Sequence, residues 1–188
     1  MHEQLDKNRD PAPWHLPVAV EHVPEETGRH FDLAAAADVR AAVARTAGLR
    51  ELPRLEAKFD VTRRGAGGLH VVGSVSATVG QVCVVTLEPL TNEIDETIDL
   101  VFAPAAITAR KVGESIPEEE AREVKWDDPE PLVGGTIDLG AIATEFLILG
   151  LDPYPRAPGV VFEPPQNDPP DAGAFDALAA LKKGSDGR

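Results

Sequence analysis

The sequence predicts an α+β fold: a strongly bent antiparallel sheet of about four to six strands with two main helices packed on it, a flexible acidic insert and flexible tails. Three observations lead there. Long stretches in the middle of the 188-residue chain alternate apolar and polar residues with a period of two, the mark of strands with one wet face. These stretches follow one another through Gly-rich or Pro-containing turns instead of alternating with helices, which argues against a parallel α/β layout. One strongly apolar helical segment comes after them.

Taken in order, residues 1–13 are polar and read as a disordered lead, and residues 14–163 as a single domain. Pro17 to Val23 is a short strand closed by Pro24. Phe31 to Leu33 is read as a strand, although the run to Ala37 would also suit the helix that follows. Asp38 is placed to cap that helix, which runs through Arg45 and stops at Gly48. In RLEAKFDVT, Leu55, Ala57, Phe59 and Val61 face inward while Arg54, Glu56, Lys58 and Asp60 face outward. The Gly-rich RRGAGG reverses the chain into GLHVVGSVSATV, whose inward set is Leu69, Val71, Val75, Ala77 and Val79. Together they make a long antiparallel hairpin. A third long strand follows, with Ile94, Ile98, Leu100 and Phe102 inward and Glu93, Asp95, Thr97 and Asp99 forming an acidic outer face.

Pro104 ends that strand. Residues 104–135, with Glu118-Glu119-Glu120 and Asp127-Asp128-Pro129, read as a mostly flexible acidic insert, in which Trp126 is a small anchor. Ile137 to Leu149 is a helix with Asp138 near its cap and Leu139, Ile142, Phe146 and Leu149 as its buried stripe. Leu147, Ile148 and Leu151 make it apolar nearly all round, and Pro153 and Pro155 stop it. Residues 164–188 form a Pro- and Asp-rich tail with one short amphipathic helix, Phe175 to Leu181.

Charge restricts the function classes. Residues 1–80 hold 10 Lys/Arg against 11 Asp/Glu and residues 81–188 hold 8 against 21, which sums to the net −14. Such a chain repels nucleic acid at long range unless it presents a local basic face, and it attracts basic proteins. The cations that would make such a face lie between residues 39 and 70: Arg40, Arg45, Arg50, Arg54, Lys58, Arg63 and Arg64. Against Glu51, Glu56 and Asp60 they leave a local balance of +4. Two readings stay open for them, a solvated surface of mixed charge and an RNA- or partner-binding set of Arg40, Arg45, Arg54, Lys58, Arg63 and Arg64. No apolar run is long enough to span a bilayer, and the polar start has no signal-peptide core, so a cytoplasmic protein is expected.

Catalytic and metal motifs are absent. The chain has one cysteine, Cys83, and its five histidines show no close-set ligand pair. Cys83 is read as a buried structural thiol, the alternative being a nucleophile beside a spatially adjacent histidine. GAGG at Gly65–Gly68 lacks the strand–turn–helix context of a phosphate cradle and reads as a hairpin turn. The carboxylates cluster in flexible segments where nothing would shift their pKa values. Glu145 is the one charge on an apolar helix; it either faces water or makes a buried ion pair or partner contact.

Three blocks carry a resemblance: GSVSATVGQVCVVTLEPL (Gly73–Leu90), GGTIDLGAIATEFLILGLDPYPRAPG (Gly134–Gly159) and, more weakly, AFDALAALKK near the end. On these blocks the stretch from Leu55 to Pro165 resembles the YceD family of large ribosomal RNA subunit accumulation proteins. Cys83, Glu88, Pro89, Asp138, Glu145, Pro153 and Arg156 fall within the shared motifs. Many members carry Cys-x-x-Cys where this chain has CVVT. Thr86 replaces the second cysteine, so the metal role that pair suggests does not carry over, and Cys83 is expected to remain as a core residue. The resemblance implies a non-enzymatic role in ribosome biogenesis, supporting accumulation or processing of 23S rRNA, with no cofactor and no evident small-molecule substrate. The implied partners are rRNA or a pre-50S particle, basic ribosomal proteins, or both. Two mechanisms suit the charges: the basic hairpin contacts rRNA phosphates, or the acidic half shields a basic partner without touching RNA. A binding module with no ribosomal role is the third reading.

Overall fold

The structure is a computed structural model that describes residues 12–65, 67–104 and 129–162. The first strand, β1 (Pro17–Ala19), runs straight into a single 3-10 turn at Val20–His22, closed by Val23 N donating to Val20 O at 3.0 Å. Strand β2 (Arg29–Ala34) leads into helix α1 (Ala37–Thr46). Three long strands follow: β3 (Glu51–Arg64), β4 (Gly68–Val82) and β5 (Pro89–Pro104). Short strands β6 (Glu130–Leu132) and β7 (Thr136–Asp138) then precede the second helix, α2 (Leu139–Leu149). The architecture is the α+β class expected, with five strands in the order β2-β3-β4-β5-β6 and a separate pair, β1-β7.

The period-two pattern sets the sheet. β2, β3, β4 and β5 are mutually antiparallel, and each residue of β4 from Leu69 to Val82 has a partner on β5. The inward residues are those the alternation marks. Phe59, Val61, Leu69, Val71, Val75, Ala77 and Val79 have no solvent exposure at all, and Ile94, Ile98 and Phe102 complete the row on β5. A fully buried side chain of this kind contributes roughly 1.5–3 kcal/mol. Gly73 interrupts the inward row of β4 because the Phe59 ring occupies that space: a Cβ there would lie 2.8 Å from Phe59 Cδ1 and 2.2 Å from Lys58 O.

Several details differ from the sequence reading. The strand expected over Pro17–Val23 is only three residues long, because the chain turns at Val20–His22. The helix around Arg40 starts at Ala37 on an Ala36 cap with no side-chain bond, so Asp38 lies in the first turn and does not cap. Its C-terminus does close at Gly48, with φ 66°: Gly48 N donates to Arg45 O and Leu49 N to Ala44 O, the paired bonds that satisfy the last carbonyls. The sheet is not wholly antiparallel, since β6 pairs in parallel with the end of β5, Phe102 opposite Glu130. This strand falls inside the expected insert, and its Leu132 is buried. Residues 105–128 of that insert, including Trp126, and the expected helix Phe175–Leu181 lie outside the described residues.

Helix α2 begins two residues later than expected and buries a different stripe. Leu139, Ile142, Ala143 and Leu147 are inside, Phe146 packs partly against them, and Leu149 is 70% exposed. A helix apolar on nearly every face does not specify which face packs, so the sheet makes the choice. Val43 and Ala44 of α1 and Trp14, Val18 and Val23 of the N-terminal segment join the same core cluster. No helix among the described residues is long and apolar enough to cross a membrane.

Candidate functional site

The outer face of the sheet is a charged lattice laid out by strand register. Its centre is a column of small hydroxyl side chains on β4, Ser74, Ser76 and Thr78. Arg54 stands beside Thr78, which stands beside Glu93; Glu56 beside Ser76 beside Asp95; and Asp32 beside Lys58 beside Ser74. Arg54 spans the lattice, donating to Thr78 Oγ1 at 3.3 Å, Ser76 Oγ at 2.8 Å, Glu56 Oε2 at 3.2 Å and Glu93 Oε2 at 2.7 Å. The Thr78 hydroxyl donates to Glu93 Oε1 at 2.8 Å. These bonds, that from Thr78 first and those from Arg54 next, hold the Glu93 carboxyl below its ordinary pKa, and the bond to Glu93 chiefly raises that of Arg54. Lys58 Nζ lies 3.9 Å from Asp32, His30 bonds Asp60 at 2.8 Å and His70 bonds Asp99 at 2.7 Å.

The structure therefore divides the candidate cations. Arg54 and Lys58 share a face as strand periodicity requires, but carboxylates pair with both, Glu56 of the same strand and Glu93 of β5 with Arg54 and Asp32 of β2 with Lys58. Arg63 is turned away and holds the fold together instead. Its Nε donates to Val23 O at 2.7 Å and its Nη1 to Glu25 at 2.9 Å, pinning the loop that follows the 3-10 turn. Arg64 is exposed at the end of β3. Arg40 and Arg45 belong elsewhere, in a groove between α1 and the start of β3. Arg50, left out of the candidate set, lines the same groove.

Five of the shared-motif residues, Cys83, Glu88, Pro89, Pro153 and Arg156, gather at the other end of β4 and β5, whereas Asp138 and Glu145 belong to the start and middle of α2. Between these strands the chain makes a tight turn in which Cys83 N donates to Glu88 O at 2.8 Å and Leu87 N to Cys83 O at 2.9 Å. Leu87 takes a φ of 61°, the only described non-glycine residue with positive φ. Pro89 opens β5 opposite Val82. The segment after α2 docks on this turn through its backbone: Val84 N donates to Pro155 O at 2.9 Å, and Gln81 reaches Asp152 O at 3.0 Å. Cys83 Sγ accepts from both sides, Thr86 N and Ala157 N each at 3.4 Å. Pro153 and Arg156 are exposed on this segment, and Glu145 is exposed on α2, where its charge adds to burial in raising the Glu130 pKa.

Cys83 is fully buried, as expected, although it stands apart from the main hydrophobic cluster. It is shielded by a thin wrapping of loop that supplies hydrogen-bond donors. These bonds, that from the Thr86 side chain foremost, lower its pKa from 9.0 to about 7. The donor set does not fit a metal: one thiol cannot close a site, and no three His, Cys, Asp or Glu side chains among the described residues come together to hold an ion.

Asp138 is the residue whose importance was only half visible. Besides capping α2, it accepts Leu16 N at 2.8 Å and contacts the His15 ring, tying the N-terminal segment to the helix start. No local pattern announces Leu16 and His15 as its partners, more than 120 residues away.

A family model described as "Large ribosomal RNA subunit accumulation protein YceD" matches residues 71–182, more than half of the chain. No curated protein and no solved structure matches it. The match takes in the acidic strand β5, the Cys83 turn and α2. The six candidate cations all lie before its first residue.

Proposed function

The chain belongs to the YceD family of large ribosomal RNA subunit accumulation proteins, and on that premise we propose that it acts as a non-enzymatic large-subunit biogenesis factor that docks a basic ribosomal protein on the acidic outer face of its sheet. One observation carries this reading, the charge balance of that face. Asp32, Glu56, Asp60, Glu93, Asp95 and Asp99 stand there against Arg54, Lys58 and Arg64. Three of the carboxylates lie on β5, within the family match, whereas the candidate cations lie outside it. A phosphate backbone approaching this face meets net negative charge. A lysine- and arginine-rich protein meets the opposite, and charge complementarity speeds its encounter and selects it over other partners. Binding should accordingly be electrostatic and weaken with salt.

The test captures large-subunit proteins from cell lysate on the tagged full chain, with and without RNase. Capture of a basic ribosomal protein should survive RNase and be lost in the triple charge reversal Glu93→Lys, Asp95→Lys, Asp99→Lys. Replacing Arg64 with Glu should change it little. Capture that disappears with RNase would refute the reading in favour of an RNA-mediated association, and capture that survives the acidic reversal but fails with the arginine reversal would refute it in favour of contact at the hairpin.

A further inference from the structure

We propose that the groove between α1 and β3 is a binding site for the phosphate backbone of RNA, held by Arg40, Arg45 and Arg50. The groove has a volume of about 470 Å³ and lies outside the acidic face. Apart from the three arginines and Glu51 its lining is apolar, Ala37, Ala41, Ala44, Leu49, Leu52 and Pro53. The state of the arginines sets them apart from three other cations on this half of the chain. Arg54, Lys58 and Arg63 are each ion-paired with a carboxylate. Arg45 and Arg50 are exposed and have no side-chain hydrogen bond or ion pair among the described residues, and the single such bond of Arg40 goes to a backbone carbonyl, Ala35 O at 2.7 Å. A guanidinium has five N–H donors, so that bond leaves Arg40 able to donate to a ligand as well.

Two features oppose an anion here. The C-terminal end of a helix carries partial negative charge, but the last carbonyls of α1 are engaged by Ala47 N, Gly48 N and Leu49 N. Glu51 is the one acid among the described lining residues, and its side chain lies across the strand against Gly80. At physiological salt a bound phosphate senses chiefly charges within about 8 Å, and the groove supplies three cations against that one carboxylate. The chain's net charge of −14 makes the local exception informative, since general attraction for RNA is excluded. Guanidinium forks suit phosphate oxygens, and with no aromatic side chain among the described lining residues the contact has no means of stacking bases. Such a site positions RNA without reading sequence. It does not depend on the acidic face: a chain with both would bring a basic protein and RNA together.

The experiment measures binding of the full chain to a labelled single-stranded RNA of about 20 nucleotides, by fluorescence anisotropy across a salt series. Three phosphate contacts at about −0.7 each give a log–log salt slope near −2, or roughly a twentyfold loss of affinity between about 50 and 200 mM salt. The double variant Arg45→Gln, Arg50→Gln should reduce the slope to about −0.7 and that loss to roughly threefold. Lysine at both positions should restore most of the slope, and Lys58→Gln should leave it unchanged. Both arginines are exposed, and their side chains bond to nothing in the described fold, so the urea midpoint should match wild type. The Glu93, Asp95, Asp99 reversal should not reduce RNA binding, which separates failure here from failure of the protein-docking reading. Absence of wild-type binding at low salt, an unchanged slope in the glutamine variant, or stronger competition by a polyglutamate peptide than by unlabelled RNA at equal ionic strength would each overturn the proposal.

Discussion

Replacing Asp138 with Ala should destabilise the protein more than its partly exposed position suggests. Its Oδ1 accepts three backbone N–H groups, from Leu16 at 2.8 Å, Gly140 at 3.0 Å and Ala141 at 3.2 Å. Losing the helix cap costs about 1 kcal/mol. Losing the long-range bond from Leu16 to a charged acceptor costs about 1.5–3 kcal/mol, because that donor then lacks a partner in a part-buried position. The His15 contact is mostly exposed and is left out of the sum. The expected loss is about 3 kcal/mol, roughly 6–12 °C in Tm for a chain of this size. The assay is urea unfolding followed by far-UV circular dichroism, with the m-value unchanged. Asp138→Asn is the control: asparagine caps as well as aspartate and keeps an acceptor, so it should stay within about 1 kcal/mol of wild type. A loss below about 1 kcal/mol in the alanine variant would refute the hub role. Equal damage in the asparagine variant would show that charge matters here and acceptor geometry does not.

At the Cys83 turn, the thiol pKa is lowered from 9.0 to about 7 in the folded state, chiefly by the Thr86 side chain. A depressed acid pKa stabilises the fold fully above the unfolded value and loses that contribution as pH falls through the folded one. The stability gap between wild type and Cys83→Ser should therefore widen between pH 7 and pH 9 and level off above; a gap independent of pH would contradict the thiolate site. Leu87 sits at φ 61° with 76% of its surface exposed. Leu87→Gly should relieve left-handed strain without loss of packing and stabilise the protein by about 0.5–1 kcal/mol, read as a higher urea midpoint. A lower midpoint would mean that the Leu87 side chain packs in solution.

The long strands were legible because period two is a local property. Leu55 to Val61 and Leu69 to Val79 follow one another with the correct parity, and the only inward gap, Gly73, is filled from β3 by Phe59. Asp138 as a cap and Gly48 as a stop were legible for the same reason, since each acts within one turn of its own helix. The stripe of α2 was not, because Leu139 to Leu149 offers apolar residues on every side. Trp14 in the core and the parallel strand β6 were not either, since nothing near them in sequence names their neighbours.

The basic set shows the same division most plainly. By itself the sequence determined that Arg54 and Lys58 share one face of a strand, that Cys83 has no second thiol nearby, and that the chain as a whole is acidic. Only the tertiary structure decided what stands opposite each charge. Register put Glu93 and Asp32 against Arg54 and Lys58, chain reversal put Glu25 against Arg63, and helix packing left Arg40, Arg45 and Arg50 around a common groove. The reason is the range of the interactions. Side-chain parity is inherited from the backbone of a single strand, whereas electrostatic partners come from whichever segments the fold brings within a few ångströms, and linear sequence does not record that distance.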